Sequence, residues 1–119
     1  MKQISFCTTV CDRLGSLKKT LPVNLLAIND FCEICLVDFN SKSDPIAEWV
    51  EARFSAELSN GSLRFFAVLD DVPWSAPHAK NLAHRLSTTP YMVNIDADNY
   101  LSKEDVRIFL AVARRGLPL

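Results

Sequence analysis

The chain of 119 residues is poor in glycine, with only three, and it has no glycine-rich loop. Neither G-x-G-x-x-G nor the P-loop pattern occurs, which disfavours a Rossmann dinucleotide site and an NTPase site. The net charge is −1 and the cations are scattered, unlike the basic stripe of a nucleic-acid-binding protein. No apolar run is long enough to cross a membrane, and residues 1–10 lack the h-region of a signal peptide. We therefore expect a cytoplasmic protein with no membrane span and no nucleic-acid partner.

The sequence also lacks linkers, internal repeats and low-complexity tracts. With 49% hydrophobic residues, a chain of 119 residues can build one compact core but not two. We therefore expect a single domain over residues 1–119.

Apolar segments of two types alternate along the sequence. Some are β-rich and nearly continuously apolar, as in strands covered on both faces, and these span 3–10, 32–39, 62–69 and 90–95. The others carry apolar residues at helical spacing, and these span 13–30, 43–58, 75–87 and 102–115. Such alternation predicts βαβ units, and hence an α/β fold: a three-layer α/β/α sandwich with a mostly parallel, Rossmann-like sheet.

Three positions carry signals for how the helices begin or break. Pro22 lacks an N–H and disfavours the α conformation in the residue before it, so helix 13–30 is predicted to kink or break there. Asp44 is a predicted N-cap, with Pro45 at the first helical position. Ser102 and Asp105 have the spacing of a capping box.

The four cysteines form two close pairs, Cys7 with Cys11 and Cys32 with Cys35. The C-x-x-C form is a recognised signal for zinc. However, both pairs fall in or beside predicted strands, where residues three apart face opposite sides. We therefore favour buried free thiols in a reducing compartment over the alternative of a zinc site.

Polar residues collect where the predicted strands end. In open parallel sheets, ligands bind outside the carboxyl ends of the strands. Turns also favour Asp, Asn and Ser, so each residue taken singly is equally well explained as a turn residue. The side chains at this edge are Thr8, Thr9, Cys11, Asp12, Arg13, Asp38, Asn40, Ser41, Asp70, Asp71, Asp96 and Asp98.

As a group, the acids of this edge repel one another unless a cation lies beside them. Asp96 and Asp98, in "VNIDADNY" (93–100), are separated by one residue at the end of the last strand. A hard divalent ion such as Mg²⁺ or Mn²⁺ prefers carboxylate oxygens, and phosphate oxygens can complete its shell. The pattern therefore favours a metal that carries a diphosphate for transfer chemistry.

Three segments follow one another along the chain: "LVDFNS" (36–41), "AKN" (79–81) and Asp96-Ala97-Asp98. In this order they resemble the V-D-D-G-S segment, the A-R-N segment and the DXD motif of family 2 glycosyltransferases of the GT-A fold. The resemblance covers nearly the whole chain and implies the nucleotide-sugar-binding half of the GT-A domain. The implied function is glycosyl transfer to an unknown acceptor, as in a hexosyltransferase, from a UDP-sugar rather than a GDP-sugar.

The resemblance also implies roles for individual residues. Asp98, together with Asp96, would bind the Mn²⁺ or Mg²⁺ that bridges the diphosphate, and this metal would neutralise charge on the leaving group. Asp96 would in addition approach the ribose. The implied nucleotide-sugar-binding residues are Thr9, Cys11, Arg13, Asp38, His78, Lys80, Asn81 and Asp96.

The chain departs from the family pattern in three ways. Phe39 replaces the second acid of V-D-D-G-S, which is implied to contact the base. Lys80 stands where arginine is common, and it lacks the planar fork for bidentate phosphate contact. No residue matches the catalytic base of the acceptor-binding half, which the chain is expected to lack, so the catalytic residue is unassigned. The absence of that half predicts an exposed apolar patch and a homo-oligomer.

Two other functions stay open. A GT-A-derived module could bind a nucleotide, or only protein partners, without catalysis. A nucleotidyltransferase would share the sandwich and the metal-held carboxylates, although "TTVCDRLGS" (8–16) offers only Gly15 towards the glycine-rich signature of that class.

Overall fold

The computed structural model describes residues 2–68 and 76–116, except for the side chains at 76–78 and 80. Strands and helices alternate along the chain, as the sequence predicts. No helix in the described part is both long enough and apolar enough to span a membrane. The elements are β1 (Ile4–Val10), α1 (Leu14–Ala27), β2 (Cys32–Phe39), α2 (Ile46–Arg53), α3 (Ser55–Asn60), β3 (Leu63–Val68), α4 (Ala76–Leu86), β4 (Tyr91–Asn94) and α5 (Lys103–Arg114).

The strands described form one sheet in the order β3-β2-β1-β4, and every neighbouring pair is parallel. The first two crossovers move from β1 to β2 and then to β3. The third returns across the sheet and places β4 on the far side of β1. The predicted α/β fold with a parallel, Rossmann-like sheet is therefore confirmed.

Helices cover both faces of the sheet. Side chains of a strand alternate between its two sides, so each face has apolar side chains to bury. Ile4 and Phe6 of β1 belong to the larger core, which includes buried residues of α1, α2 and α5. Cys7 and Cys35, paired in register on β1 and β2, instead pack against Ala83 of α4. Every residue of β2 is buried, as expected of an inner strand with helices on both sides.

Of the predicted kink or break at Pro22, the break does not occur, since α1 continues through this residue to Ala27. Leu14, Leu17 and Leu21 are buried in the larger core on one stripe of the helix. Burying a leucine contributes about 1.5–3 kcal/mol, so the stripe outweighs the hydrogen bond that the proline removes.

The predicted helix over 43–58 is two helices, α2 and α3, which meet at Phe54. Phe54 is buried in the larger core, and its ring lies edge-on to that of Trp49 at 5.2 Å between centroids. Turning the chain at this point brings the aromatic side chain inward. The one-helix prediction missed the turn because Phe54 also fits the apolar spacing of the preceding helix.

The predicted N-cap at Asp44 is also wrong. Helix α2 begins at Ile46, Pro45 is its N-cap residue, and no side chain caps it. The Asp44 carboxylate instead accepts a hydrogen bond from the backbone N–H of Leu14, at 2.9 Å, and so caps the start of α1. By contrast, the predicted capping box between Ser102 and Asp105 is confirmed at the start of α5.

The cysteines are free thiols, and Cys7, Cys32 and Cys35 are buried as predicted, whereas Cys11 is only half-buried. Cys32 lies in the larger core and Cys35 in the smaller, so the two face opposite sides of the sheet. Burial raises the pKa of Cys7, and it raises the pKa of Cys35 to about 12. These thiols therefore stay protonated and behave as apolar core groups.

A buried acid joins the sheet to the segment that leads into β4. Glu33 of β2 accepts hydrogen bonds from the hydroxyls of Ser5 at 2.7 Å and Thr88 at 3.0 Å. The guanidinium of Arg64 on β3 lies 3.7 Å from the same carboxylate. The hydroxyl oxygens of Ser5 and Thr89 lie 2.7 Å apart. These contacts hold the segment before β4 against β1 and β2.

Replacing Pro22 by alanine restores the N–H that α1 lacks near its centre. We expect Pro22→Ala to raise the free energy of unfolding by about 2–3 kcal/mol. An interior proline costs about 3 kcal/mol relative to alanine, and the restriction it places on the unfolded chain offsets under about 1 kcal/mol of that cost. Urea unfolding followed by far-UV circular dichroism measures the change.

The control is Val23→Ala at the neighbouring exposed position, which should change stability by less than about 0.5 kcal/mol. Destabilisation by Pro22→Ala would show that the proline ring contributes more through its packing than its missing N–H costs.

Candidate functional site

The loops after β1 and β2 are joined by Ser41. Its hydroxyl accepts a hydrogen bond from the backbone N–H of Asp12 at 2.8 Å and donates one to the carboxylate of Asp38. The Ser41 N–H donates to the same Asp38 oxygen at 3.1 Å. Asp38, in β2, is only 7% exposed. The buried carboxylate is therefore held in place by the loop that follows its own strand.

Asp12 strengthens this connection from the other loop. Its carboxylate accepts hydrogen bonds from the backbone N–H groups of Ser43 at 2.7 Å and Asp44 at 3.1 Å. The bond from Ser43 contributes most to lowering the pKa of Asp12 below its ordinary value. Asp12 and Asn40 both have left-handed backbone angles, with φ of 51° and 55°. Short polar side chains tolerate this conformation because they can hydrogen-bond locally.

Cys11 is half-buried beside the two acids of these loops. Burial raises its pKa first, and the negative charges of Asp12 and Asp38 raise it further. Thr9 is also half-buried, and it lies opposite Val37 in the register of β1 and β2. The structure thus brings Thr9, Cys11 and Asp38 to the same two neighbouring strand ends, as predicted from the sequence.

Asp96 and Asp98 lie on a tight turn after β4. The N–H of Ile95 donates to the carbonyl of Cys7 at 2.9 Å, and the turn is closed by the N–H of Asn99 donating to the carbonyl of Asp96 at 3.0 Å. Asp96 and Asp98 are exposed, whereas Ala97 between them is only 7% exposed. The turn therefore packs its middle side chain inward and leaves both carboxylate-bearing residues at the surface.

Two polar residues of α1, Thr20 and Asn24, hold this turn. The hydroxyl of Thr20 donates to the carbonyl of Ala97 at 2.6 Å. The side-chain amide of Asn24 donates to the carbonyl of Asn99 at 3.1 Å and accepts from the N–H of Leu101 at 2.6 Å. We call Thr20 and Asn24 the α1 clamp. Sequence reasoning missed the clamp, although two polar residues within a stripe of leucines at helical spacing are a detectable signal.

The remaining predicted residues are distributed around these loops. Arg13 is exposed at the N-cap position of α1, and Asn81 is exposed on α4. His78 and Lys80 belong to the N-terminal half of α4, which follows β3, but their side chains lie outside the described residues. Asp70 and Asp71 lie wholly outside them. The roles implied for these residues stay predictions.

The donor atoms near the turn are suited to a hard metal ion. Asp96 and Asp98 supply carboxylate oxygens, which Mg²⁺ and Mn²⁺ prefer. Within the described ranges, no three His, Cys, Asp or Glu side chains lie close enough together to hold a metal ion. A metal at the turn would therefore need further oxygens from phosphate and water, as is usual for Mg²⁺.

A separate groove of about 420 Å³ lies between the end of α1 and α5. Leu26 and Phe31 contribute to it and are among the most exposed large apolar side chains described. The groove shares no residue with the loops after β1, β2 and β4.

The fold is similar to that of S. aureus TarS, a glycosyltransferase. TarS 1-349 has a TM-score of 0.71 at 20% sequence identity, with 95% of this chain and 32% of that chain covered. The same TarS fragment in complex with UDP-GlcNAc has a TM-score of 0.70 at 19% identity, with 95% and 31% covered. Its complex with UDP has a TM-score of 0.65 at 20% identity, with 97% and 32% covered.

No protein-family model matches the chain, and no curated protein sequence matches it significantly. The chain spans about a third of the TarS 1-349 structures. It therefore shares the α/β fold of part of the TarS structures.

The charge of Asp12 should stabilise the fold in a pH-dependent way. Because folding lowers the Asp12 pKa below its ordinary 3.8, this contribution is full above pH 3.8 and is lost as the pH falls through the lower folded-state value. Asp12→Asn removes the charge but keeps an oxygen acceptor and tolerates a positive φ. We expect the stability difference between wild type and variant to be constant above about pH 5 and to shrink below it.

Urea unfolding between about pH 3 and pH 7 measures this difference. Glu51→Gln removes an exposed acid from α2 and serves as the control. A difference for Asp12→Asn that does not change with pH would contradict a role for the charge.

Cys11 should be the thiol that reacts first in the folded protein, because the other three cysteines are buried. We expect N-ethylmaleimide to modify Cys11 alone at neutral pH. Its raised pKa means that the labelling rate should climb about tenfold per pH unit, in step with the thiolate fraction. Peptide mass spectrometry identifies the modified residue, and Cys11→Ser should remain unlabelled. Labelling of Cys7 or Cys35 at a comparable rate would contradict their burial beneath α4.

Proposed function

We propose that this chain is the donor-binding part of a glycosyltransferase that binds a nucleotide-diphospho-sugar with a divalent metal. The observation that carries the proposal is the turn at Asp96–Asn99, which presents two acidic residues at the carboxyl edge of a parallel sheet. TarS, which has a similar fold, has been solved with UDP-GlcNAc and with UDP. Open α/β sheets bind ligands at this edge, which supports the same location here.

The loops after β1 and β2 would receive the nucleoside. Asp38 is buried and oriented by Ser41, so its carboxylate is fixed before a ligand arrives. Thr9 and Cys11 lie at the adjacent strand end, and a preorganised pocket of this kind lowers the entropic cost of binding. A UDP-sugar is the preferred donor in this proposal. Phe39 replaces an acid of the family pattern that is implied to contact the base, and it is buried. The preference for UDP over GDP is therefore tested by titration with both nucleotides.

Basic and polar residues of α1 and α4 would contact the diphosphate. Arg13 is exposed at the start of α1 and would pair with a phosphate. His78, Lys80 and Asn81 belong to the start of α4, on the opposite face of the sheet. Asp96 and Asp98 would hold Mn²⁺ or Mg²⁺, and the metal would supply Lewis-acid stabilisation of the leaving diphosphate.

The acceptor and the catalytic base lie outside this proposal. The chain spans about a third of the TarS 1-349 structures, and no residue described here is assigned as the base. We therefore propose donor binding by a single domain over residues 1–119, with glycosyl transfer requiring further groups. A homo-oligomer or an additional segment would supply them.

Calorimetric titration with UDP and with GDP, each with and without Mn²⁺, tests the proposal. We expect UDP to bind in the presence of Mn²⁺, and Asp98→Ala to weaken binding by more than about tenfold, because the metal loses a charged oxygen ligand. Asp30→Ala removes an exposed acid from the loop before β2 and should leave binding unchanged.

Failure of both nucleotides to bind the wild-type protein would overturn the proposal. Equal affinity for GDP and UDP would retain the donor site and overturn the preference for uracil.

A further inference from the structure

The segment from Asp96 to Leu101 is bonded to α1 along most of its length. The carbonyls of Ala97 and Asn99 and the N–H of Leu101 all have partners in the α1 clamp, Thr20 and Asn24. The backbone of the turn is therefore held from a helix that is itself packed against the sheet. A loop with such contacts resists the local opening that is common in exposed loops.

The α1 clamp is buried on the apolar side of its helix. Thr20 is 3% exposed and Asn24 is 5% exposed, and both lie in the stripe that contains Leu17 and Leu21. Burying a hydroxyl or an amide is costly unless its hydrogen bonds are made, and leucine would pack well in such a stripe. The Thr20 hydroxyl lies 2.6 Å from the Ala97 carbonyl and 3.3 Å from the carbonyl of Ser16 in its own helix, so its stronger hydrogen bond is to the turn. Both side-chain hydrogen bonds of Asn24 are to the segment that contains the turn.

The clamp also opposes an electrostatic force. Asp96 and Asp98 are separated by one residue, and like charges this near favour any backbone change that moves them apart. A freely adjusting turn would relax in this way, and a cation would then have to reorder it on binding. Holding the carbonyls on both sides of Asp98 removes that freedom before the cation arrives, which improves affinity through preorganisation.

We propose that Thr20 and Asn24 are positioning residues that set the Asp96–Asn99 turn for joint binding of a divalent cation and a nucleoside diphosphate. The inference rests on the proposed function for its ligand, but its structural basis is the clamp. Neither residue needs to touch the ligand, because each acts through backbone groups of the turn.

Thr20→Val tests the clamp with a change of nearly equal volume, since it removes the hydroxyl that bonds Ala97. The matched control is Thr89→Val, because Thr89 is another buried threonine whose hydroxyl donates to a carbonyl, that of Tyr91, at 2.8 Å. It lies before β4, whereas the turn follows β4. Thr20→Ser, which restores a hydroxyl, is the rescue variant.

Two measurements are made on each variant at a temperature where all are folded. The first is the dissociation constant for Mn²⁺ in the presence of UDP, from the electron paramagnetic resonance signal of free Mn²⁺. The second is the hydrogen-exchange rate of the Asn99 amide without any ligand. This amide bonds Asp96 and not Thr20, so its rate reports on the turn and not on a deleted partner.

We expect Thr20→Val to raise the dissociation constant roughly five- to tenfold and to accelerate Asn99 exchange by a similar factor, as for the loss of one buried hydrogen bond. Thr89→Val should stay within about twofold of wild type in both, and Thr20→Ser should return most of the affinity. Faster exchange with unchanged affinity would overturn the positioning role, and so would equal losses in the two valine variants.

If the wild-type protein binds no Mn²⁺ with UDP, the proposed function fails and the exchange rates alone decide on the clamp. An unchanged Asn99 rate in Thr20→Val then overturns it, and a faster rate confined to that variant supports it. Asn24→Leu, which removes the partners of Asn99 and Leu101, should show the larger acceleration of the two clamp variants.

Discussion

Helix α1 is the element on which the geometry of the candidate site depends. Its first N–H, at Leu14, is capped by Asp44 from the loop after β2, and its clamp residues bond the turn after β4. These loops follow strands on opposite sides of β1, so no strand pairing connects them directly. Both strands pair with β1, which sets how far apart they lie, and α1 then connects the two loops through its own hydrogen bonds.

This dependence explains why α1 retains its course despite a proline. Leu14, Leu17 and Leu21 bury one stripe of the helix in the larger core, and Thr20 and Asn24 make their bonds on the same side. Breaking α1 at Pro22 would separate Thr20 from Asn24 and leave polar groups buried without partners, at a cost of about 1–3 kcal/mol each. The loss of one helical hydrogen bond is the smaller effect.

Sequence reasoning succeeded where the signal is local and failed where a distant partner decides. The alternation of segments predicted the parallel sheet, and the spacing of Ser102 and Asp105 predicted their capping box. Asp44 was assigned to the helix beside it, but its partner Leu14 is 30 residues away. Thr20 and its partner Ala97 are 77 residues apart, so the sequence can show a polar residue in the apolar stripe but not what it bonds. The sequence thus predicts which strand ends meet, but it does not determine which residues a ligand would contact.

The spacing of Asp96 and Asp98 has a physical cause in the residue between them. Ala97 is buried while its neighbours are exposed, and its carbonyl is held by Thr20. A turn that anchors its middle side chain in the core must direct the side chains on either side outward, so two acids at this spacing share one surface. A larger residue than alanine would need space in a close-packed core and would lift the turn away from α1. The small middle residue, the clamp and the paired acids are therefore parts of one arrangement, in which the repulsion between the carboxylates is opposed by packing beneath them.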